Sequence, residues 1–501
     1  MPLKNISQFD SSNFSYSKVF IYFLAIALFI RFPFFFRDYI DRDESTFILM
    51  GQSLVNGHLP YTQLWDLKPP LLFYLFGALI FTFGKSFIAL RFTGTLIVAI
   101  TALYLYKIGD KLSSKRAAFW CGILLILTSS LFGSVQGVMS EHISMFFYIP
   151  AMYFIAHYNH KKWATFWAGI LLGAAVMIKL NLAYPVLMMG TTLFVLALLK
   201  KHYAKAFINA FLLAIGVITT VILTALPYVF TNQFNIWWNS VILAPIAYNP
   251  GAIVNHKIYI LLSFLPFVIL MYFFYKTNLK ACKEQRIFYL LIFVSFLGVV
   301  FSFIDIGQFN GHYLIQLYPF IILILCIWTS ISREELTPKL RLIFFVLLII
   351  IPVESYKEYS ILGKRFAEGK SLYNEEGFDV PAYFKENNIN PDTILFLNFH
   401  IGYWIMDKTP PTKVMTHPSN IFRNSLFPYM GVKSKTTHEE LTRIFYNIKP
   451  EYIVGPKYEH QFKGKDEDDK ADVTYLFEKL KQLYQPVYTT GKAVIYKRIE
   501  L

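Results

Sequence analysis

Charged residues are scarce in this chain of 501 residues, since Asp, Glu, Lys and Arg together make up only 16% of it. Soluble globular domains carry about a quarter of their residues as charges. Aromatic residues, in contrast, reach 18%, with 50 Phe and 33 Tyr. This composition excludes an ordinary soluble protein and fits lipid-facing helices with aromatic side chains at the membrane–water interfaces.

Cysteine is also scarce, because the chain has only Cys121, Cys282 and Cys326, all in or beside apolar segments. The polar C-terminal region has none, so the sequence offers neither a disulfide framework nor a zinc-site spacing. It also lacks a Gly-rich phosphate loop and an internal repeat. The net charge is +15, but Lys and Arg form no basic patch with interleaved aromatic residues, so nucleic acid is not an expected partner.

Long apolar runs fill most of the first 354 residues. A membrane-spanning helix needs about 20 apolar residues. By this criterion the sequence predicts about eleven spans, near residues 18–36, 86–107, 117–134, 140–157, 163–178, 182–199, 206–229, 257–275, 287–304, 312–331 and 340–353. We therefore expect an α-helical polytopic membrane protein embedded in a lipid bilayer.

The distribution of Lys and Arg predicts the orientation of these spans. Every second loop is rich in basic residues, around 107–116, 161–162, 200–205, 276–286 and 333–341. Such loops stay in the cytoplasm. We therefore expect a multi-pass protein of the cytoplasmic (inner) membrane with a cytoplasmic N-terminus. An odd number of spans then places the long first loop, residues 37–85, and the C-terminus outside.

The composition changes near residue 355, where Gly, Asn, Asp, Glu, Lys and Pro become common. Short apolar strands at 393–398 and 451–454 alternate with helical patterns at 380–388 and 438–447. Such alternation is typical of an α/β domain. We therefore predict a membrane catalytic domain over residues 1–354 and a small extracytoplasmic soluble α/β domain over residues 355–501.

The first outer loop carries charges that are costly beside hydrocarbon unless they are solvated, paired or used. Asp43 and Glu44 follow the first span, and Lys68 precedes the next one. A carboxylate in this position can act as a general base, and a lysine can bind phosphate. Alternatively, Glu44 caps a short interfacial helix expected at 45–57, and Lys68 extends towards anionic lipid.

This order of residues resembles the first outer loop of the GT-C-fold glycosyltransferases, in particular bacterial relatives of protein O-mannosyltransferases and of lipid A aminoarabinose transferases. That family has an Asp-Glu pair, a Gly–Pro–Tyr stretch and a Lys-Pro-Pro-Leu segment. The corresponding residues here are Asp43-Glu44, then Gly57, Pro60 and Tyr61, then Lys68-Pro69-Pro70-Leu71. Residues 87–91 and the many spans with an outer C-terminal domain extend the resemblance to most of the chain.

The resemblance implies that a sugar moves, with inversion, from a polyprenyl-phosphate-linked donor to an acceptor at the outer face of the membrane. It implies Asp43 as the base, and we add Glu44 and Glu141 as further catalytic candidates. For the donor phosphate we assign Lys68, Arg42, Lys179, His312 and Tyr313, and for acceptor or sugar Tyr61 and Asp66. Alternatively, Glu141 caps a helix, Lys179 extends from a helix end and His312 is structural.

Several properties stay open at this point. The acceptor is a glycan, a lipid or a protein, and the donor sugar is unassigned. The aminoarabinose transferases have Glu directly before the lysine, where this chain has Leu67; a divalent metal is therefore neither predicted nor excluded, and no other cofactor is indicated.

The main alternative function is a transporter or flippase of lipid-linked sugars, although such proteins usually show two related halves, which this sequence lacks.

Overall fold

The computed structural model describes residues 14–38, 41–131, 135–158, 161–248, 283–306, 310–332, 338–457 and 467–499. The predicted span at 257–275 and Cys282 lie outside the described residues. The chain divides into two compact units. The first comprises Met1–Phe34, Arg91–Thr224 and Ala252–Ser360, and the second comprises Phe35–Leu90, Ala225–Gly251 and Ile361–Leu501. The predicted domain boundary at residue 354 stays a prediction.

The first unit is built from helices, most of which are apolar. They are α1 (Tyr16–Arg31), α4 (Phe87–Leu112), α5 (Lys115–Thr128), α6 (Ser140–His157), α7 (Lys162–Val176), α8 (Ala183–Leu199), α9 (Tyr203–Phe230), α12 (Lys283–Ile306), α13 (Tyr318–Ser332), α14 (Pro338–Ile350) and α15 (Val353–Ala367). Three of them belong to this unit only in part: α4 from Arg91 onward, α9 as far as Thr224 and α15 as far as Ser360. Short 3₁₀ turns at Leu180–Leu182 and Gly311–Gln316 precede α8 and α13.

Five helical segments in the described part of the chain are long and apolar enough to cross a membrane: Tyr16–Phe36, Phe87–Leu112, Leu180–Leu199, Tyr203–Phe230 and Gln285–Asp305. Each of the predicted spans that lies within the described residues falls on a helix. The helical polytopic fold is thereby confirmed, whereas the number of eleven spans stays a prediction.

Helix α1 is apolar on both its inner and its outer face. In α1, Val19, Phe23 and Ala27 recur every four residues on one face and are completely buried. Phe23 stacks on Phe119 of α5, with 5.4 Å between the ring centroids. Ile21, on another face of α1, is 63% exposed. A helix that is apolar all round is typical of a membrane environment.

The second unit contains two helices of the first long loop, α2 (Arg42–Val55) and α3 (Pro70–Phe83). They pack closely because a Cβ on Gly51 would lie 2.8 Å from the backbone N of Gly77. Phe47 contacts Phe76 across the pair, at 5.6 Å between ring centroids. The packing of α2 on α3 fixes the start of α2 relative to the segment that leads into α3.

Helix α2 begins earlier than the sequence predicted. The expected start was near residue 45, but the helix runs from Arg42 because Asp41 is its N-cap. The Asp41 Oδ1 accepts the N–H of Asp43 at 2.9 Å, which satisfies one of the free amides of the first turn. Residues at the start of the loop are therefore helical, and Asp43 lies in the first turn.

The rest of the second unit is a small α/β arrangement. Its helices are α10 (Phe234–Trp238), α11 (Ala244–Ala247), α16 (Glu376–Glu386), α17 (Gly402–Ile405), α18 (Phe427–Met430), α19 (Thr437–Arg443) and α20 (Glu467–Leu483). The π-helical turns Asn239–Leu243 and Ile444–Ile448 join α10 to α11 and extend α19. Its strands are β1 (Ile394–Phe396), β2 (Tyr452–Pro456), β3 (Tyr484–Thr490) and β4 (Ala493–Arg498).

The four strands form one sheet in the order β1-β2-β4-β3. Strands β1 and β2 are parallel, with Leu395 opposite Ile453, and the other pairs are antiparallel. The two predicted strands correspond to β1 and β2, whose side chains are all buried. A small C-terminal α/β domain is thereby confirmed, and its β3–β4 hairpin is an element that the sequence analysis did not predict.

Candidate active site

Each carboxylate oxygen of Asp43 contacts a different side chain. Its Oδ2 lies 2.9 Å from Nζ of Lys68, and its Oδ1 lies 3.3 Å from Nε2 of His417. The Asp43 side chain keeps 18% of its surface exposed. Two of the predicted site residues, Asp43 and Lys68, are thus brought together, with a histidine that the sequence analysis did not single out.

The other ring nitrogen of His417 contacts Ser419. Nδ1 accepts the backbone N–H of Ser419 at 3.2 Å and lies 2.7 Å from the Ser419 hydroxyl. With Nδ1 as the acceptor, Nε2 is the ring nitrogen that can donate to Asp43. No local motif around residue 417 could have indicated this role, because it arises only when distant segments fold together.

Lys68 is held by contacts on both sides of its backbone. The Tyr61 hydroxyl donates to the Lys68 carbonyl at 2.6 Å, and the Lys68 N–H donates to Asp66 Oδ2 at 3.3 Å. Burial raises the pKa of Tyr61, which keeps its hydroxyl protonated and able to donate. Tyr61 and Asp66, predicted to contact sugar or acceptor, are 1% and 4% exposed; they shape the turn that presents Lys68.

A second layer of polar contacts joins α2 to the loops of the sheet. Thr46, one turn after Asp43, donates to the Arg42 carbonyl at 3.1 Å and lies 3.0 Å from His400 Nε2. Burial, followed by the positive charge of nearby groups, lowers the pKa of His400 well below its usual value. His400 is therefore neutral. The Trp65 N–H donates to Thr416 Oγ1 at 3.2 Å, which ties the loop before Lys68 to the segment that carries His417.

The remaining predicted residues of the first loop flank Asp43. Arg42 is the first residue of α2 and is half-buried, and Glu44 is only 2% exposed. Asp41 supplies the side-chain N-cap, and Glu44 lies in the first turn of α2, where an acidic side chain is favourable.

The other predicted residues meet in the first unit, around Glu141 in the first turn of α6. Glu141 Oε1 pairs with Lys179 Nζ, and Oε2 accepts the Ser140 hydroxyl at 3.1 Å. His312 Nε2 lies 3.8 Å from Oε1, and Lys179 Nζ lies 4.4 Å from the centre of the Tyr313 ring. Four residues that the sequence analysis chose separately, Glu141, Lys179, His312 and Tyr313, therefore form one cluster.

The Glu141 carboxylate is completely buried. Helix α6 has Met139 at its N-cap with no side-chain hydrogen bond, so Glu141 uses its oxygens for the ion pair rather than as a cap. Among the described residues, no group of three or more His, Cys, Asp or Glu side chains has an arrangement that could hold a metal ion.

Known proteins resemble this chain in sequence over part of its length and in overall fold. The family model for dolichyl-phosphate-mannose-protein mannosyltransferases matches residues 67–230. A sequence comparison with curated proteins finds no match. The structure is similar to that of ArnT from Cupriavidus metallidurans bound to undecaprenyl phosphate, with a TM-score of 0.60, 13% identity, and coverage of 96% of this chain and 98% of that one.

The chain has the fold of ArnT, and part of it matches a mannosyltransferase family. The likeness to ArnT shows the fold, and it holds for the apo state of the same protein, with a TM-score of 0.57, 13% identity and coverage of 96% and 97%. The apo oligosaccharyltransferase of Archaeoglobus fulgidus gives 0.49, with 14% identity and coverage of 99% of this chain and 75% of that one. The apolar helices and the ArnT-like fold together support a polytopic membrane protein.

Proposed function

We propose that this enzyme transfers a sugar from a polyprenyl-phosphate-linked donor to an acceptor hydroxyl or amine. The observation that carries the proposal is the contact between Asp43 and Lys68, because a carboxylate that can act as a base lies 2.9 Å from an ammonium group that can bind phosphate. Two comparisons support the donor class: the ArnT structure contains undecaprenyl phosphate, and the matching family is described by dolichyl-phosphate-mannose.

In this mechanism, the acceptor oxygen or nitrogen attacks the anomeric carbon of the donor while Asp43 takes its proton. The bond between the anomeric carbon and the phosphate oxygen breaks, and its electron pair stays on the phosphate. Lys68 stabilises the negative charge of the departing polyprenyl phosphate. A single displacement of this kind inverts the anomeric centre, and its products are the glycosylated acceptor, polyprenyl phosphate and the proton on Asp43.

The other predicted residues keep their proposed roles within the same reaction. Arg42, beside Asp43, and the cluster of Lys179, His312 and Tyr313 supply further groups for the donor phosphate. Glu141 orients Lys179 through the ion pair. We further propose that the reaction takes place on the outer face of the cytoplasmic membrane, with the N-terminus in the cytoplasm and the C-terminal domain outside.

The first experiment incubates the purified protein, in nanodiscs, with radiolabelled polyprenyl-phosphate monosaccharides and crude membrane acceptors. We expect the wild type to consume one donor and Asp43→Asn to lose at least about 100-fold in rate, because general-base catalysis contributes about 10²–10⁴-fold. Asp407→Asn removes the same charge from an exposed site in the same unit and should keep full activity.

Thermal unfolding of both variants serves to exclude loss of folding as the cause. A folded Asp43→Asn protein with wild-type turnover would refute the role of Asp43. Failure of the wild type to consume any donor would refute the donor class.

A further inference from the structure

The single ammonium group of Lys68 has two possible partners. In the structure that group pairs with Asp43, whereas the proposed function requires it to bind the donor phosphate. A carboxylate paired with a lysine is a poorer base, because the cation stabilises its charged form. An ammonium group has three N–H donors and can contact two anions at once, but Asp43 becomes a stronger base only when Lys68 leaves it.

His417 contacts the oxygen of Asp43 that Lys68 does not use. Its Nε2 lies 3.3 Å from Oδ1, while Lys68 contacts Oδ2. The imidazole is 8% exposed, and Ser419 fixes its orientation through the N–H that donates to Nδ1. His417 therefore stays in position when Lys68 moves, since no part of this contact depends on the lysine.

We propose that donor binding exchanges the partner of Lys68, from Asp43 to the donor phosphate, and that His417 is the positioning residue that then holds Asp43 for the acceptor proton. This inference rests on the proposed function and adds to it the order in which Asp43 changes partners. Before the donor binds, Asp43 is paired with a cation. After it binds, Asp43 lies beside an anion and keeps its contact with His417, so its affinity for a proton rises.

The surrounding charges are consistent with this exchange. His400 is neutral because burial lowers its pKa, so it does not replace the charge that Lys68 removes. Asp66 contacts the backbone N–H of Lys68 rather than its ammonium, which leaves the side chain able to turn while the backbone stays fixed. Titratable groups around Asp43 include Lys68 and His417, which contact it, and Asp41, Arg42 and Glu44 beside it at the start of α2. His400 lies against Thr46 of the same helix, and Asp66 contacts the backbone of Lys68.

The first test measures binding rather than activity, with undecaprenyl phosphate as the probe. Asp43→Asn removes the competitor for Lys68, so we expect it to bind the probe several-fold more tightly than the wild type while it loses transfer. Asp407→Asn, which frees Lys85 from a similar pair, should bind like the wild type. Equal or weaker binding by Asp43→Asn would overturn the exchange.

The second test compares His417→Ala and His417→Gln with His438→Ala, a control histidine that is exposed and contacts Asp472 in the same unit. We expect His417→Ala to lower kcat by about 10–100-fold, as for partners that orient a reacting group, with the donor KM within about twofold. His417→Gln retains an N–H donor and should recover most of kcat. His438→Ala should behave as the wild type.

The pH profile separates positioning from a merely structural role. Loss of the N–H that favours the charged carboxylate should move the acid limb of kcat to higher pH in His417→Ala. An unchanged profile, or no recovery in His417→Gln, would overturn the role of His417. Inactivity of the wild type with every donor would instead overturn the proposed function, and the binding test would still decide the exchange.

Discussion

The Glu141 side chain carries a charge at a position with no contact to solvent. It persists there because Lys179 pairs with one oxygen and the Ser140 hydroxyl donates to the other. An ionised group in such surroundings is costly unless it is both paired and hydrogen-bonded. The pair adds little net stability relative to apolar residues of the same size, but removal of one partner leaves the other charge uncompensated.

We therefore predict that Glu141→Gln and Lys179→Met each destabilise the protein by about 3–5 kcal/mol. The double variant should recover much of this loss, because neither charge then remains buried alone. Thermal unfolding in detergent measures all three variants. Additive losses in the double variant would show that the two side chains do not act as a pair.

At the scale of single elements, the N-terminus of α2 determines where the base lies. The Asp41 side chain accepts the N–H of Asp43 at 2.9 Å, and Asp43 is the second residue of the helix. The position of the Asp43 backbone therefore depends on the cap. Without it, the first turn of α2 frays, and the two contacts of the Asp43 carboxylate lose their geometry.

Replacement of this cap should affect both stability and activity. We expect Asp41→Ala to cost about 1 kcal/mol of stability, the usual value for loss of an N-cap, and to lower kcat more than it raises the donor KM. Asp41→Asn keeps an oxygen that can accept the same N–H, so it is the matched control. The measurements are thermal unfolding and steady-state kinetics; equal loss in both variants would mean that charge, not capping, is what Asp41 contributes.

Sequence reasoning succeeded with elements whose signals are local. Apolar runs of about 20 residues predict helices directly, and the buried strands β1 and β2 are short apolar runs. It failed where the pattern was weak or absent. Strand β3 is mostly exposed and contains Pro486, which argues against a strand, so its pairing with β4 was not predicted. The start of α2 was missed because Asp41, its N-cap, was not identified as a capping residue.

At the scale of the whole molecule, the candidate site around Asp43 is made by segments far apart in sequence. Within the second unit, the Trp65 side chain donates to Ser240 Oγ at 3.1 Å, and its backbone N–H donates to Thr416 Oγ1 at 3.2 Å. These contacts join three separate stretches of chain. A motif can place Asp43 and Lys68 in one loop, but only the folded unit adds His417, because no local pattern records such distant contacts.

The segment that carries His417 begins at Thr412, and pH should act on it through Glu440. Burial raises the pKa of the Glu440 carboxyl, but hydrogen bonds outweigh burial, and the net pKa lies below the usual 4.5. The donors are Arg443, Ser434 and Thr412, and the Ser434 and Thr412 hydroxyls lie 2.6 Å and 2.5 Å from the carboxylate. Glu440 thus connects α19 to the start of the His417 segment.

A lowered pKa in the folded state stabilises the protein above the unfolded pKa, near 4.5, and this stabilisation is lost as the pH falls through the folded value. Glu440→Gln should therefore lower stability by about 1.5–3 kcal/mol at neutral pH. The difference from the wild type should begin to shrink below about pH 4.5 and should vanish below the lower folded pKa, where the wild-type carboxyl is neutral too. Glu439→Gln, which alters an exposed neighbour, should show no such convergence in thermal unfolding across this range. A difference between wild type and Glu440→Gln that stays constant with pH would mean that Glu440 contributes by its shape and not by its charge.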